Sequence, residues 1–522
     1  MTLVFIGESA VPSYTAVADD VVDNAIDGAS LVGKLVYITD TQDWKIIQKD
    51  LTLAAYHLPI SVDTEISIGE VAQGTPGASP WLVDGSGTVQ PVEGDGIPGT
   101  PSGGVLSVQG VLNGKEIPIS GNIGYSDTGS LDAFSRLRVS SPKTIFNSTF
   151  RYDLQPFLFE QSTATGGTIS HAPNYASASM VVNSTNGASC VIQSRQYHRY
   201  IPAKSQLIAM SQVFGAAGAN IRKRAGYFDA NNGIFLEQDG TSGIAIVLRT
   251  STGGSPDDTR KVLQAAWNID TLDGTGASGI TLDLSNASIL IIDLQWLGMG
   301  RVRVGFDING VIYYCHQFFT ANLFAFPYMQ TGNLPVRWEI TNTGVSGGAT
   351  MYATCSAVLS EGGDEVDEGF AFSINSTADV SATTSRTPVL AIRPKATFNS
   401  IVNRIEVAIS EYSLLAGNND VLVELIYNPT SLTVTGGWTS ADSNSSVEFH
   451  RTITGITGGT IIGSYFVPST NANRGSIEKE TRGRLPLTLD IAGANPISLV
   501  ICATSLSNTS ACRGRFTWVE LR

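Results

Sequence analysis

The sequence predicts an all-β protein made chiefly of antiparallel strands. Three observations predict it. Between Ser288 and Phe319 apolar residues recur at every second position, with Leu290, Ile292, Leu294 and Trp296 on one face and Val302, Val304 and Phe306 continuing the pattern after a Gly298-Met299-Gly300 break. A period of two belongs to a strand with one face against a core, not to a helix. Asn309-Gly310 then joins two such runs, and this pair favours a type I′ hairpin because both central residues need positive φ. Composition agrees: 54 glycines in 522 residues and only 15% charged side chains, against about 25% in ordinary soluble domains, suit many strands joined by tight turns.

Length allows two or three domains, each with its own core. The net charge of −14 repels nucleic acid and anionic membrane, so neither is expected as a direct partner. No apolar run reaches the roughly 18 residues of a membrane span. The N-terminal MTLVFIGESAVPSY lacks a basic region and does not read as a secretion signal. Cys190, Cys315, Cys355, Cys502 and Cys512 are odd in number, contain no CxxC and sit in apolar runs. They read as buried free thiols, made in a reducing cytoplasm.

Residues 1–72 form a small β unit with two short strands, Lys34 to Thr39 and Trp44 to Ile47, turned at Asp40 to Asp43; Asp19 to Ala25 reads as either a short helix or a loop. Its core is thin, so packing on a neighbour or on a copy of itself is expected. Residues 73–130 are a linker, with Pro76, Pro80, Pro91, Pro98 and Pro101 among glycines that follow no three-residue period and so are not collagen. Val105 to Ile123 adds a hairpin around Asn113-Gly114.

Residues 131–360 read as a large antiparallel sandwich of about ten strands, of the jelly-roll or lectin-like kind. Gln206 to Phe214 is one strand; Ile221 to Phe228, Ile234 to Gln238 and Ile244 to Arg249 form a meander; the 288–319 meander, Val336 to Thr341 and Met351 to Leu359 complete it. Residues 361–370 (Glu361 to Gly369 being EGGDEVDEG) are an acidic hinge. Residues 371–522 read as a second sandwich of six to eight strands, with Ile401, Ile405, Val407 and Ile409 on one strand face, Val421, Val423, Leu425 and Tyr427 on the next, and Leu487 to Ile491 among the later strands. No period of 20 to 50 residues recurs, which argues against a propeller, solenoid or parallel β-helix.

Chemical motifs are sparse. Gly274/Gly276/Gly279 and Gly94/Gly96/Gly99 match GxGxxG literally, but the first is followed by strand and the second lies in the linker, so neither opens a phosphate-binding helix. His57, His171, His198, His316 and His450 have no metal-ligand spacing. No catalytic residue and no cofactor is expected. Asp229, Asn231 and Asn232 lie on a tight loop that reads as a hairpin turn, with Ca²⁺ binding as the alternative. Arg195, Tyr197, Arg199 and Tyr200 mix basic and aromatic side chains in a period-two layout, read as an ordinary strand or a sugar or subunit contact. Arg222, Lys223 and Arg224 form the densest basic cluster, a candidate contact for an acidic partner or a solvated strand face, and Trp438 sits in a Gly/Thr-rich loop suited to glycan contact.

Four runs, Ser130 to Asp153, Ser194 to Phe214, Arg224 to Gly240 and Trp296 to Phe318, occur in an order that resembles a family of tailed-bacteriophage virion structural proteins. The segment from Lys34 to Tyr56 and the Gly/Pro linker are similar to phage appendage modules. The resemblance implies a virion location and supplies no catalytic residues. It leads to the expectation of a non-enzymatic fibre, whisker or collar-type appendage, attached to other phage proteins through residues 1–72 and assembled as a homo-oligomer, with a trimer expected from how phage fibres assemble. A glycan-binding adhesin is the alternative expectation, with a capsid decoration protein or a polysaccharide depolymerase behind it.

Overall fold

A computed structural model gives the fold. It describes short strands between residues 4 and 91 by their backbone, and from residue 131 onward everything except 134–137, 139–140, 346, 363–368, 470–474, 481–484 and the side chains of 475–480. The chain divides into two compact units, residues 1–124 and 125–522. In the first, Val4–Ile6, Ser13–Ala16, Leu35–Ile38, Asp43–Ile47 and Leu53–Ala55 form a five-stranded sheet. The expected pair near residues 34–47 is present, with Tyr37 opposite Trp44. One element of the linker differs from expectation: Trp81–Val83 and Val89–Pro91 pair as a hairpin. The possible helix near residue 20 and the hairpin near 105–123 lie outside the described residues.

Among the described residues of the second unit every strand pairing is antiparallel, and the chain builds two sandwiches. The first has an eight-stranded sheet in which Gly167–Ala172, Ser177–Val182, Ala349–Ser360, Gln206–Val213, Ala287–Leu294, Val302–Ile308 and Val311–Phe318 follow one another, with Lys143–Thr149 also on Ala349–Ser360. Facing it is a seven-stranded sheet ordered Asp257–Leu263, Gly243–Thr250, Gly233–Asp239, Ile221–Phe228, Val336–Asn342, Ser189–Ser194, Phe159–Ala164. One core joins the two: Ile208, Leu290, Ile292 and Val304 from one sheet meet Tyr227, Leu236, Ile246 and Trp338 from the other. The alternation read from the sequence is therefore the inward face of each strand. The 288–319 meander forms as expected, Leu290 lying opposite Phe306 and Ile308 opposite Val311. Its turn residues Asn309 and Gly310 have φ of 55° and 82°.

This sandwich has more strands than the expected ten. Phe159–Ala164, Gly167–Ala172 and Asp257–Leu263 carry few apolar residues, because they lie at or next to sheet edges where one face or one side meets solvent.

The second sandwich stacks Phe370–Asn375, Ser510–Leu521, Glu406–Gly417 and Gly475–Glu480, with Val380–Ala382, against a six-stranded sheet ordered Thr439–Ser440, Val447–His450, Thr387–Pro394, Leu499–Ser505, Val421–Tyr427, Thr460–Val467. Val423, Leu425, Ile501, Leu414, Phe516 and Trp518 fill its core. Two expectations are corrected here. Leu487 to Ile491 is not a strand; it contributes only an isolated bridge between Leu489 and Pro496. Ile401 does not continue the strand of Val407 and Ile409, because Thr397–Phe398 and Ile401–Val402 close a separate hairpin through Asn399 and Ser400, both at left-handed φ. The side chain of Ile401 is consequently exposed.

Candidate functional site

The two sandwiches of the second unit meet along a seam. The segment after Ser189–Ser194 places Tyr197 there, buried, its hydroxyl hydrogen-bonded to the Asp229 carboxylate. Burial, reinforced by that carboxylate, pushes the Tyr197 phenol well above its ordinary pKa. Across the seam Arg404, just ahead of Glu406–Gly417, lies 4.4 Å over the Tyr197 ring and donates to the carbonyls of Asp490 (2.8 Å) and Ile491 (3.0 Å). The Ile491 N–H donates to Glu160 Oε2 at 3.1 Å, and the Phe157 and Tyr427 rings stand 6.2 Å apart. Burial raises the Glu160 pKa, and the Ile491 N–H and Arg195 oppose the rise.

Beside this seam opens a cleft of about 750 Å³. Its wall on the first sandwich is the loop between Ile221–Phe228 and Gly233–Asp239, together with Gln330, Thr331 and Asn333. Asp229 Oδ1 accepts the backbone N–H groups of Asn231 (2.7 Å) and Asn232 (2.8 Å), an Asx turn. Asn232 Oδ1 accepts from Ser251 N–H (3.2 Å) and Gln330 N–H (3.1 Å), which ties two neighbouring loops to it. The opposite wall is Ser400, Ile401, Val402, Arg404 and Ile491. A second cavity of about 240 Å³ shares Tyr197, Arg404 and Ile405 with the first. Gln196 and Thr488 line it, and Gln196 Nε2 and Thr488 Oγ1 are buried without a protein hydrogen-bond partner.

The structure thus brings Tyr197, Asp229, Asn231 and Asn232 to one place and scatters the other candidates; residues 195–200 are not the expected strand, because Ser189–Ser194 ends before them and only His198 bridges to Leu334. Asp229 Oδ1 and Asn232 Oδ1 each accept two backbone N–H groups, the bonding of a tight hairpin turn. Among the described residues no three His, Cys, Asp or Glu side chains converge as metal ligands. Arg195 turns back onto its own sandwich, donating to the Pro156 carbonyl (2.9 Å) and reaching Glu160. Arg199 is half-buried outside the cleft, and Tyr200 is buried edge-on to Trp296. Trp438 is half-buried under Arg393, whose guanidinium is 4.0 Å from its ring, and does not stand free as a sugar platform.

The basic cluster is a correction. Lys223 and Arg224 are buried, not presented to a partner. Lys223 shares the inward face with Ile221 and Ala225 and donates to the Ala216 carbonyl (2.8 Å) and Gln238 Oε1 (3.2 Å); burial lowers its pKa to about 8. Arg224 lies on the other face, opposite Glu237 on one neighbouring strand and Glu339 on the other, 2.7 Å from Glu237 and 3.5 Å from Glu339. Arg222 is half-buried beside Glu339. Glu237 faces Arg224 across the hairpin that the sequence predicts, whereas Glu339 comes from a distant strand that only the fold supplies.

Several buried titratable groups elsewhere are shifted away from neutrality or held in ion pairs. Burial lowers His198 to about 3 and His316 to about 4, keeping both neutral. Burial alone would raise the Glu339 pKa, but Arg337 and Arg224 hold it below the ordinary carboxylate value. Asp293, fully buried, is bound by Arg303 (2.5 Å), Arg138 (2.6 Å), Ser205 (2.8 Å) and the Tyr314 hydroxyl (3.1 Å). Tyr314, Cys315 and His316 are thereby buried strand residues. All five cysteines are free, and burial raises the thiol pKa of Cys190, Cys315, Cys502 and Cys512.

No family model matches the chain, and no curated protein matches it. Among solved structures it is similar to a glycosyl hydrolase family protein from Mycobacterium fortuitum, at 10% identity over 41% of this chain and 99% of that one, with a TM-score of 0.29. It is similar to a legume lectin-like domain from Entamoeba histolytica, at 12% identity over 42% and 98%, with a TM-score of 0.25. A lectin from Bauhinia forficata in complex with GalNAc matches at 11% identity over 42% and 98%, with a TM-score of 0.26. At these scores the likenesses carry no argument about the cleft or about activity.

Proposed function

We propose that this chain is a non-enzymatic structural protein of a tailed-phage particle, displaying its two sandwiches as part of a fibre, whisker or collar-type appendage. One observation carries the reading: four runs that resemble phage virion proteins occur in order within one sandwich, and they supply its framework. Phe146 and Phe150 come from the first run, Ile208 and Met210 from the second, Tyr227, Ile234 and Leu236 from the third and Val302, Val304 and Phe306 from the fourth, all in one core.

Attachment through residues 1–72 and homo-oligomerisation, with a trimer expected, complete the reading. The test is to fractionate particles on a density gradient and follow the chain by mass spectrometry and immunogold labelling. Co-sedimentation with particles and label on an appendage are expected; a chain found only in the soluble fraction would sink the proposal. Light scattering on the purified chain tests the trimer separately.

A further inference from the structure

We propose that the cleft between the two sandwiches is a binding site for a neutral, hydroxyl-rich ligand, an oligosaccharide. Its volume of about 750 Å³ lies in the range of small-molecule sites, which favour domain interfaces. The groups left uncommitted there are neutral and both donate and accept. Asn231 is exposed, and its side-chain amide makes no hydrogen bond among the described residues. Asn333 uses its Oδ1 on the Tyr200 N–H (2.8 Å), leaving Nδ2 to donate. Thr331 Oγ1 accepts the Asn333 N–H (2.9 Å), leaving its proton to donate. Ser400 adds a hydroxyl from the other wall. A sugar hydroxyl, donor and acceptor at once, matches such a set.

The three charged side chains that line the cleft are engaged within the protein. Arg404 is spent on the 489–491 carbonyls and the Tyr197 ring, Asp229 on its turn and the Tyr197 hydroxyl, and Arg522 on Glu520 at 2.9 Å and the Phe370 and Phe398 rings. A charged ligand would therefore have to displace one of these contacts, whereas a neutral one need not. The apolar part of the site is the lip, where Ile401 and Val402 are 72% and 45% exposed on a hairpin turned through Asn399 and Ser400. Apolar side chains there cover the C–H face of a sugar ring, and a hairpin already formed lowers the ordering cost of binding. Beyond Arg404, Gln196 Nε2 and Thr488 Oγ1 supply buried, unpartnered polar atoms in the adjoining cavity, so a ligand of more than one sugar unit would lie across Arg404.

The experiment applies the full chain to an array of neutral oligosaccharides of glucose, galactose, mannose, rhamnose and N-acetylhexosamine type, with sialylated and phosphorylated glycans as the acidic arm. Binding to at least one neutral glycan is expected. The Asn231→Ala/Asn333→Ala double variant should bind it at least tenfold more weakly, and Ile401→Glu, at an exposed position that leaves the fold intact, should do the same. Thr241→Ala, at the opposite end of the Gly233–Asp239 strand from the cleft, should bind as the parent does. No neutral binding, binding confined to the acidic arm, or undiminished binding by both cleft variants would overturn the proposal. Each of those outcomes leaves the particle role standing, since co-sedimentation tests that independently.

Discussion

The guanidinium of Arg404 lies 4.4 Å from the centre of the Tyr197 ring, and the two residues come from different sandwiches. The contact is a cation–π pair with its other donors on the 489–491 carbonyls. It closes the seam and forms the common wall of both cavities. Arg404→Ala should weaken the docking of the sandwiches by about 1 kcal/mol, the worth of the cation–π contact with Tyr197, because its hydrogen bonds to the 489–491 carbonyls lie within its own sandwich. Scanning calorimetry should then show two separated transitions in place of coupled melting. Arg404→Lys should fall between, because an ammonium lacks the planar fork. A single unshifted transition in Arg404→Ala would contradict this account of the seam.

Two glycines should respond differently to the same change. At Gly310 (φ 82°) an added Cβ meets nothing within 4 Å, so Gly310→Ala should cost only the conformational term, about 1 kcal/mol. At Gly226 the Cβ would come within 2.4 Å of the Ile234 carbonyl oxygen and 2.6 Å of Phe235 Cα. Backbone atoms cannot move aside as a flexible side chain can, so Gly226→Ala should destabilise by several times as much. Urea denaturation of the two variants checks the order.

Trp518 is fully buried and donates its Nε1–H to Glu520 at 3.1 Å. Trp518→Ala should cost about 4 kcal/mol through the cavity it leaves and, in the Arg404→Ala background where the seam no longer couples the sandwiches, should lower the melting of the C-terminal sandwich selectively. Tryptophan-free probes such as amide exchange in Leu499–Ser505 would report it; equal loss of protection in Gln206–Val213 would show that the cores are not independent.

Acid should destabilise the protein from pH 6.5 downward. His198 and His316 are held at about 3 and about 4 by burial, whereas unfolded histidine titrates near 6.5. Below that value the unfolded chain binds protons the native one refuses. The stability these residues contribute is complete above about 6.5 and is lost as pH falls toward their folded values. Glu339, with its pKa lowered, adds a loss in the same direction at lower pH, while Glu160, with its pKa raised, opposes it. Melting temperature should fall between pH 7 and pH 4 at fixed ionic strength, and His316→Gln should flatten the fall. A pH-independent melting temperature over that window would refute the assignment.

Much of the fold is legible locally. The 288–319 meander declares itself because its alternation and its turn lie within 32 consecutive residues, and a hairpin needs no distant partner. The strand at Phe159–Ala164 is different: its FEQSTA sequence has little apolar pattern, and its place comes from pairing with Ser189–Ser194. The cleft was half visible. Tyr197 and the 229–232 loop stood out by composition, but Thr331, Asn333, Ser400 and Arg404 carry no motif and become a site only where two sandwiches meet.

The sequence by itself determined that the chain is all-β, where the central hairpins turn, and which face of each well-patterned strand is apolar, because alternation and positive-φ turns are properties of neighbouring residues. Tertiary structure alone decided that Ala349–Ser360 would lie between Ser177–Val182 and Gln206–Val213 and also pair with Lys143–Thr149, that Arg224 would meet Glu339 as well as its hairpin neighbour Glu237, and that Arg404 would cover Tyr197. Each of these depends on chain segments far apart in sequence, whose meeting is set by packing of whole sheets rather than by the residues beside them.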